Sequence, residues 1–356
     1  MENKKPTKLN YTSFSEDEKE QLKSKIITSI FSYKRRRKNL RKLSLGITAS
    51  ISIILGILFF VHSNNEPSID EYVKNVKNVD SKDFDSIKLI LNDTENIDIA
   101  EDNSTIKYSN TGQQIAINNS KTINRSATKN NKVVYNTIVV PYGKRSKIEL
   151  SDGSQVWLNS GSKLVYPVLF SGKKREVYLE GEAIFEVSHD KLHPFIVMAE
   201  NHEIEVLGTV FNVSNYSDEN MISTTLKSGS VQIRYKSDSF FKTDETIKIT
   251  PGTKSDYNKS MHKISSKKVN VENYFSWREG VFLFKNDNME YIMKRLSRYY
   301  NVNIVINNKE LAKQTFSGYL DLKENIENVV DIIKETTDFE YNKENKTITI
   351  SNLLTN

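Results

Sequence analysis

One uncharged stretch constrains this chain more than any other feature of its 356 residues. Residues 43–61, LSLGITASISIILGILFFV, contain no charged side chain. As a helix that rises ~1.5 Å per residue they would extend about 28 Å, close to the thickness of the hydrocarbon core of a bilayer. We therefore predict a transmembrane helix over residues 43–61. A cleaved signal peptide fits less well, because the leader before the run is long and no small-x-small site follows it.

The charge balance differs on the two sides of this run. Residues 1–42 hold 13 Lys/Arg against 5 Asp/Glu, whereas the rest of the chain holds 38 against 40. The basic residues next to the run are Lys34, Arg35, Arg36, Arg37, Lys38, Arg41 and Lys42. Basic flanks of this kind stay in the cytoplasm. We predict a single-pass protein of the inner (cytoplasmic) membrane, with residues 1–42 cytoplasmic and the bulk of the chain periplasmic, and without direct contact to nucleic acid.

The cytoplasmic segment, residues 1–42, is predicted to contain an amphipathic helix. Ser15 and Glu18 have the spacing of a capping box, in which each side chain accepts a hydrogen bond from the other residue's amide. An apolar stripe with helical periodicity follows, formed by Leu22, Ile26, Ile27, Ile30 and Phe31. A lone helix cannot bury such a stripe, so it needs a partner protein or the surface of an anionic membrane. These five residues are the candidate partner-binding site.

The periplasmic part is predicted to begin with a tether and to contain an internal repeat. Residues 62–85 are rich in Asn, Lys, Asp and Ser, which favours a flexible periplasmic tether. Residues 88–99, KLILNDTENIDI, match residues 147–158, KIELSDGSQVWL, position by position. Each copy places an Asn-Asp or Asp-Gly pair between two alternating segments, which predicts a hairpin. Residues 109–132, between the copies, are predicted to form a long loop.

Residues 86–265 are predicted to form a β domain. Their apolar segments are short, and turn residues separate them at intervals of roughly 8–12 positions. Many short strands with repeated hairpins are typical of a β-sandwich, a jelly roll or a short β-solenoid. The sequence pattern does not distinguish among these three folds.

Residues 272–352 show mixed periodicity and are predicted to form a separate α+β domain. The pattern indicates strands over residues 281–284, 302–306, 315–320, 339–341 and 347–350, with helices around residues 289–296 and 326–333. This βαββαββ order favours two helices on one face of a small sheet, whose edges could accept a partner strand. The predicted fold class is therefore mainly β with a C-terminal α+β domain, after one transmembrane helix.

Several segments of the two domains carry a family resemblance. They are residues 147–159, KIELSDGSQVWLN; residues 175–187, REVYLEGEAIFEV; residues 205–213, EVLGTVFNV; and residues 226–231, LKSGSV. Together they resemble the FecR-type transmembrane regulators, a family of anti-sigma factors, in the form found in Bacteroidetes. Residues 277–318, including LSRYYNV at 296–302, resemble the C-terminal domain of that family. That domain is similar to the short signalling domains of secretins and TonB-dependent transducers.

The resemblance implies a relay across the inner membrane. Its partners would be an extracytoplasmic-function sigma factor on the cytoplasmic side, the signalling domain of an outer-membrane TonB-dependent transducer on the periplasmic side, and an intramembrane protease. Such a relay would regulate transcription of iron or glycan uptake. Family members usually carry a longer cytoplasmic region with several helices, so here one helix would bind the sigma factor, the segment would have another partner, or it would be a degenerate remnant without sigma-factor binding.

No catalytic, metal or cofactor-binding residues are predicted, and no cofactor. The chain has no Cys, and His189 and His193 are the closest pair among its five dispersed His. Glu180 and Glu182 lie at period two on a predicted strand, which could imitate the acid pair of a glycosidase, although alternate exposed acids are common on half-buried strands. A membrane-tethered glycan- or envelope-binding protein is the main alternative function, and a tethered hydrolase is the third.

Overall fold

The computed structural model describes residues 15–63, 69–76, 79–92, 95–118, 120–125, 128–129, 132–200, 202–235 and 244–351. Within the first helix, side chains are described for residues 15–35 and 50–57. The chain divides into two compact units, residues 1–66 and residues 67–356.

The first unit contains one helix, α1 (Glu16–Ser63). The predicted capping box is confirmed at its start, because the Ser15 amide donates to Glu18 Oε2 at 3.0 Å and the Glu18 amide donates to Ser15 Oγ at 3.3 Å. The apolar run continues the same helix, but its side chains at residues 43–49 and 58–61 lie outside the described set. Among the residues described, no helix is both long and apolar enough to cross a bilayer.

The second unit opens with a short helix, α2 (Ile69–Val76), which packs on the β domain. Its buried residues Ile69 and Val73 lie one helical turn apart. They pack in a cluster with four buried side chains of that domain, Val165, Tyr178, Ile196 and Met198. The structure thus differs from the flexible tether predicted for residues 62–85, because two apolar residues in a polar stretch suffice to dock one amphipathic turn.

The β domain (residues 87–268) is built almost entirely of short strands. They are β1 (Ile87–Leu91), β2 (Glu95–Ile99), β3 (Asn103–Tyr108), β4 (Gln114–Ile117), β5 (Lys121–Asn124), β6 (Thr128–Lys129), β7 (Lys132–Val133), β8 (Tyr135–Val140), β9 (Arg145–Glu149), β10 (Gln155–Leu158), β11 (Ser162–Pro167), β12 (Arg175–Glu186), β13 (Phe195–Ala199), β14 (His202–Val206), β15 (Val210–Asn215), β16 (Met221–Ser228), β17 (Val231–Tyr235), β18 (Glu245–Ile249), β19 (Thr253–Asn258) and β20 (Lys263–Lys268).

Most of these strands form one curled sheet with two layers. The first layer has the order β2-β1-β8-β11-β12-β13-β14-β17-β18, and the second has the order β5-β4-β3-β9-β10-β12-β15-β16-β19-β20. Pairing is antiparallel except for β3 with β9 and β12 with β13. The mainly β prediction is confirmed, and the antiparallel pairing favours the sandwich alternative over a solenoid of stacked parallel coils.

Strand β12 belongs to both layers and bends at Gly181. This glycine has a φ of +97°, and a Cβ there would lie 2.6 Å from Ser162 Cα. Only glycine fits both the backbone angle and the close approach. Residues before the bend pair with β11 and β13, whereas residues after it pair with β10 and β15.

The two layers share one apolar core. Phe185 of the second layer and Phe195 of the first have ring centroids 6.2 Å apart. Tyr108 and Tyr166 also meet across the core, with ring centroids 5.5 Å apart and hydroxyls 3.0 Å apart. Burial of these large side chains removes a great deal of apolar surface from water and holds the layers together.

The internal repeat is confirmed as two antiparallel hairpins, β1–β2 and β9–β10. Tyr108 and Tyr166 occupy equivalent positions of the two copies, so their contact joins the repeats. In the first copy, residues 93–94 of the predicted turn lie outside the described set. The long loop predicted for residues 109–132 is wrong in part, since β4 and β5 form there and Ile115 and Ile117 are buried.

The connecting segment (residues 271–280) leads from the β domain to the α+β domain (residues 281–351). The segment contains α3 (Glu272–Phe275) and a 3-10 turn (Ser276–Glu279). The α+β domain consists of β21 (Val281–Asn288), α4 (Met289–Tyr300), β22 (Asn303–Ile306), α5 (Lys309–Lys313), β23 (Thr315–Asp321), α6 (Ile326–Lys334), β24 (Glu340–Glu344) and β25 (Thr347–Ser351). The predicted element order is confirmed, with α5 as an added short helix.

The strands of the α+β domain form two sheets, whereas one was predicted. β21 pairs with β23, and a separate sheet has the order β22-β25-β24. One core cluster joins both sheets to the helices, with Phe282 from β21, Ile348 from β25, Leu296 from α4 and Val330 from α6. The two sheets are therefore joined by side chains that pack against the helices, and not by hydrogen bonds between strands.

Candidate functional site: the apolar stripe of α1 and the domain junction

The five predicted partner-binding residues lie exposed on α1. The exposed fractions of Leu22, Ile26, Ile27, Ile30 and Phe31 range from 45% to 68%. Tyr33 is 65% exposed and extends the same stripe, since it lies one turn after Ile30 and two turns after Ile26. The sequence prediction missed it, although its spacing was a usable signal.

The polar side of the same helix segment is satisfied internally. The hydroxyls of Ser24, Thr28, Ser29 and Ser32 donate to backbone carbonyls of the preceding turn, at 2.7–2.9 Å. Such hydroxyls have less need of an external partner. The exposed apolar stripe is therefore the side of this segment that gains most from being covered.

A second candidate region is the junction between the β domain and the α+β domain. Phe275 and Trp277 of the connecting segment are buried and cluster with Ile184 of β12. Ile184 lies on the outer face of the second layer. This apolar contact holds the α+β domain against the outer face of the second layer, and charged side chains surround the contact.

Arg295 of α4 forms the most deeply buried ion pair of the junction. Its guanidinium donates to Glu182 Oε2 at 3.1 Å, and the Glu182 side chain is 2% exposed. Asn159 and Asn212 also donate to the Glu182 carboxylate, at 2.8 and 3.2 Å. Burial disfavours the charged form of Arg295, but Glu182 and nearby tyrosines hold the pKa of Arg295 well above its ordinary value.

Arg298, one turn further along α4, contacts the loop between β15 and β16. Its guanidinium donates to Asp218 Oδ1 at 2.8 Å and pairs with Glu219. The guanidinium carbon lies 3.7 Å from the ring centroid of Tyr216, and burial raises the pKa of that tyrosine. The Arg298 carbonyl accepts a hydrogen bond from the Gly143 amide at 2.8 Å.

Arg278 completes the set of arginines at the junction. It donates to Glu186 Oε1 at 2.9 Å and lies 4.9 Å from the ring centroid of Trp157. We call Arg278, Arg295 and Arg298 with their acidic partners the arginine clamp. The sequence prediction missed the clamp, although Glu182 had been noted: it pairs with Arg295, while Glu180 pairs with Lys163 at 2.8 Å, so the two acids do not act together.

Open clefts adjoin the junction. One, of about 700 Å³, is lined by residues of β3, β9 and β10, by the connecting segment, and by Tyr299 and Lys323. Another, of about 570 Å³, is lined in part by Asp218, Lys294 and Arg298. Within the described part of the chain, no group of three or more His, Asp or Glu could hold a metal ion.

His189 and His193 are not brought together as ligands. Asp190 Oδ2 lies 2.7 Å from His193 Nδ1, and this contact lowers the pKa of Asp190 to about 2. The Cα and ring of His189 lie instead against Gly208. The arrangement is that of a hydrogen-bonded loop.

Comparison with known proteins matches the two domains separately. Residues 136–232 match the family model described as FecR protein, and residues 281–350 match the model described as FecR, C-terminal. The chain is similar to a candidate anti-sigma factor from Parabacteroides distasonis, known from crystal structures at 1.65 and 2.50 Å resolution. The first shares 28% identity and a TM-score of 0.55 over 60% of this chain and 97% of that chain.

The second of these structures gives nearly the same result, with 27% identity and a TM-score of 0.56 over 61% of this chain and 99% of that chain. No curated protein matches the chain.

Proposed function

Because this chain belongs to the FecR family of anti-sigma factors, we propose that it regulates an extracytoplasmic-function sigma factor from the inner membrane. Its cytoplasmic helix holds the sigma factor. Its periplasmic α+β domain receives a signal from the signalling domain of an outer-membrane TonB-dependent transducer. The family is one of regulators, and the protein acts by contact with other proteins.

One observation carries the sigma-factor contact: a capped helix with an exposed apolar stripe at residues 22–33. Six apolar side chains on one side of a helix bind an apolar groove well, because a partner removes them from water at little conformational cost to a helix already formed. Lys23, Lys25 and the basic run at residues 34–38 favour an acidic rim on that groove.

The contact can be tested with the pair of substitutions Ile26→Asp and Ile30→Asp in the full chain. We expect at least a hundredfold loss of affinity for the cognate sigma factor, since two charges would enter an apolar groove at about 1.4 kcal/mol or more each. The matched control is Thr28→Asp with Ser32→Asp, which has the same spacing on the opposite side of the helix. Equal binding by both doubly substituted proteins in a pull-down would reject the stripe as the contact.

The proposal of a membrane-spanning helix over residues 43–61 is supported by its exposed apolar side chains. Ile51, Ile53, Ile54, Leu55 and Ile57 are each at least 50% exposed on α1, and at about 100° per residue they spread over about 200° of the helix circumference, with Ser52 and Gly56 on the remaining side. Reporter fusions after Glu18 and after Trp277 test the topology. Opposite compartments are expected, and a common compartment would end the relay model.

The α+β domain offers an exposed aromatic side chain for the transducer contact. Tyr319 of β23 is 70% exposed, and β23 pairs only with β21 in the described part of the chain. We expect Tyr319→Asp to abolish induction by the transducer while the protein still folds. Met261→Asp on the β domain, at a side chain that is 61% exposed, is the matched control. Normal induction in the Tyr319 variant would place the contact elsewhere.

Release of the sigma factor would then follow cutting of the chain by an intramembrane protease. Gly46, Ser50, Ser52 and Gly56 weaken the helix within the proposed span, which such proteases favour. Immunoblotting of an N-terminally tagged chain before and after induction tests this step. A tagged fragment of about 50 residues is expected, and an intact chain during full induction would exclude it.

A further inference from the structure

We propose that the cleft of about 700 Å³ beside the domain junction binds a small polyanion, an organic molecule with two or more carboxylate, sulfate or phosphate groups. The inference concerns a ligand of the periplasmic unit. It holds whichever sigma factor or transducer the chain contacts, so its test is separate from those above.

The outer face of the second layer carries two electrostatically different regions. On β12, the acids Glu182 and Glu186 are neutralised by arginines of the arginine clamp. On β9, two strands away, Arg145 and Lys147 point to the same face and line the cleft. Within the described residues, neither has a carboxylate at ion-pair distance. The clamp therefore neutralises the acidic region, whereas the basic region meets only uncharged groups in the described part of the chain: Arg145 donates to the Trp277 carbonyl at 3.3 Å and packs on the Tyr299 ring.

The opposite wall of the cleft adds positive charge. Lys323 and Arg278 line it, and Lys323 likewise has no carboxylate partner among the residues described. The acid in this wall, Glu279, accepts a hydrogen bond from Arg278 at 3.1 Å. Arg278 is thus neutralised by Glu186 and Glu279, and the cations left without a carboxylate partner among the described residues are Lys323 on this wall and Arg145 and Lys147 on β9, which repel one another at short range. A ligand with anionic groups at both ends would relieve this repulsion.

Aromatic rings hold the cations in place without neutralising them. Lys147 Nζ lies 4.8 Å from the ring centroid of Trp157, and the Arg145 guanidinium lies 4.6 Å from that of Tyr299. Cation–π contacts of this kind fix the side chain but leave most of its N–H donors available. Pre-positioned donors bind oxyanions with less loss of conformational entropy than free lysines would.

The remaining polar groups of the cleft are also rich in donors. The indole N–H of Trp277 is buried and has no acceptor among the described residues. The cleft volume lies within the ordinary range for small-molecule sites, about 300–1,000 Å³. Donors, cations and apolar ring surfaces together match a compact organic polyanion better than a neutral ligand.

Intrinsic tryptophan fluorescence can report on ligand binding in this cleft. The chain contains two Trp, Trp157 and Trp277, and both line the cleft. Their fluorescence can be followed while the full chain in detergent is titrated with citrate or inositol hexakisphosphate at constant ionic strength. We expect a saturable change with at least one polyanion and none with myo-inositol, the uncharged counterpart. Response to citrate alone or to the phosphate alone would identify the preferred anionic group.

Two pairs of substitutions distinguish specific binding in the cleft from nonspecific electrostatic attraction of an anion to a basic protein. Lys147→Gln with Lys323→Gln removes two cleft cations that make no ion pair, and we expect affinity to fall by about tenfold or more. Lys263→Gln with Lys267→Gln on exposed β20 is the control, expected to stay within about twofold. No saturable response to either polyanion, or equal weakening by both variants, would overturn the proposal.

Discussion

On α1 at residues 22–33, apolar side chains are exposed and hydroxyl groups are hydrogen-bonded within the helix, whereas at the domain junction charged side chains are buried and paired. Phe31 is 68% exposed, whereas Arg298 is 4% exposed. The helix stripe is local, since its residues lie within twelve positions of one another. The clamp partners that join the two domains lie 79–113 positions apart in the sequence. The surface that we propose for a partner protein is thus local, whereas the connection between the two domains depends on distant pairs.

The largest effect should come from breaking the buried pair of the clamp. We expect Glu182→Gln to lower the free energy of unfolding by about 3–5 kcal/mol, because Arg295 would remain buried without a counter-charge. This loss can be measured by urea unfolding of the full chain, followed by tryptophan fluorescence. Glu186→Gln removes a half-exposed partner at the same junction and should cost about 1 kcal/mol or less. Similar losses would mean that burial does not decide the strength of the clamp.

The same comparison predicts that the helix stripe contributes nothing to the stability of the chain. Ile26→Asp with Ile30→Asp should leave the free energy of unfolding of the second unit, residues 67–356, within about 0.5 kcal/mol of the parent in urea, since both side chains are half exposed. A larger loss would show that the stripe is covered within the protein and would remove it as a free contact surface.

A smaller loss of stability than for Glu182→Gln is expected from a substitution at Gly181, the bend in β12 that places Glu182 at the junction. Gly181→Ala should cost about 2–3 kcal/mol, through an unfavourable φ and a clash with Ser162. Gly252→Ala is the control, with a φ of +77° but no atom within 4 Å of the new Cβ, and should cost about 1 kcal/mol. Equal costs would show that strand β12 can move aside at the bend.

A smaller and purely local loss of stability should follow removal of the helix cap. Ser15→Ala breaks one half of the capping box and should destabilise the first turn of α1 by about 1 kcal/mol, leaving the second unit (residues 67–356) unchanged. Amide hydrogen exchange at residues 16–20 would rise severalfold. Unchanged exchange would mean that the helix start is held by something other than this cap.

The parts that sequence reasoning predicted are those with a local cause. The capping box, both hairpins of the repeat and the α+β element order depend on residues within about a dozen positions of each other. The misses have another cause. β19 is too polar for an apolar pattern, and α2 is too short for one, yet each is held by a neighbour distant in the sequence: β16 pairs with β19, and α2 packs against Val165, Tyr178, Ile196 and Met198. The FecR resemblance located the domains but gave no hint of the clamp.

The sequence by itself determined the class of most segments, because periodicity, capping and turn chemistry act over a few residues; residues 69–76 and 114–124 are the exceptions. It also determined the family, through motifs such as REVYLEGEAIFEV that lie on single strands. Only the tertiary structure decided which acid meets which arginine, and that the basic side of the same sheet face stays open. Ion pairs and clefts form between residues that are close in space but distant in the sequence, and no local sequence pattern predicts them. Glu182, for example, pairs with Arg295, 113 residues away.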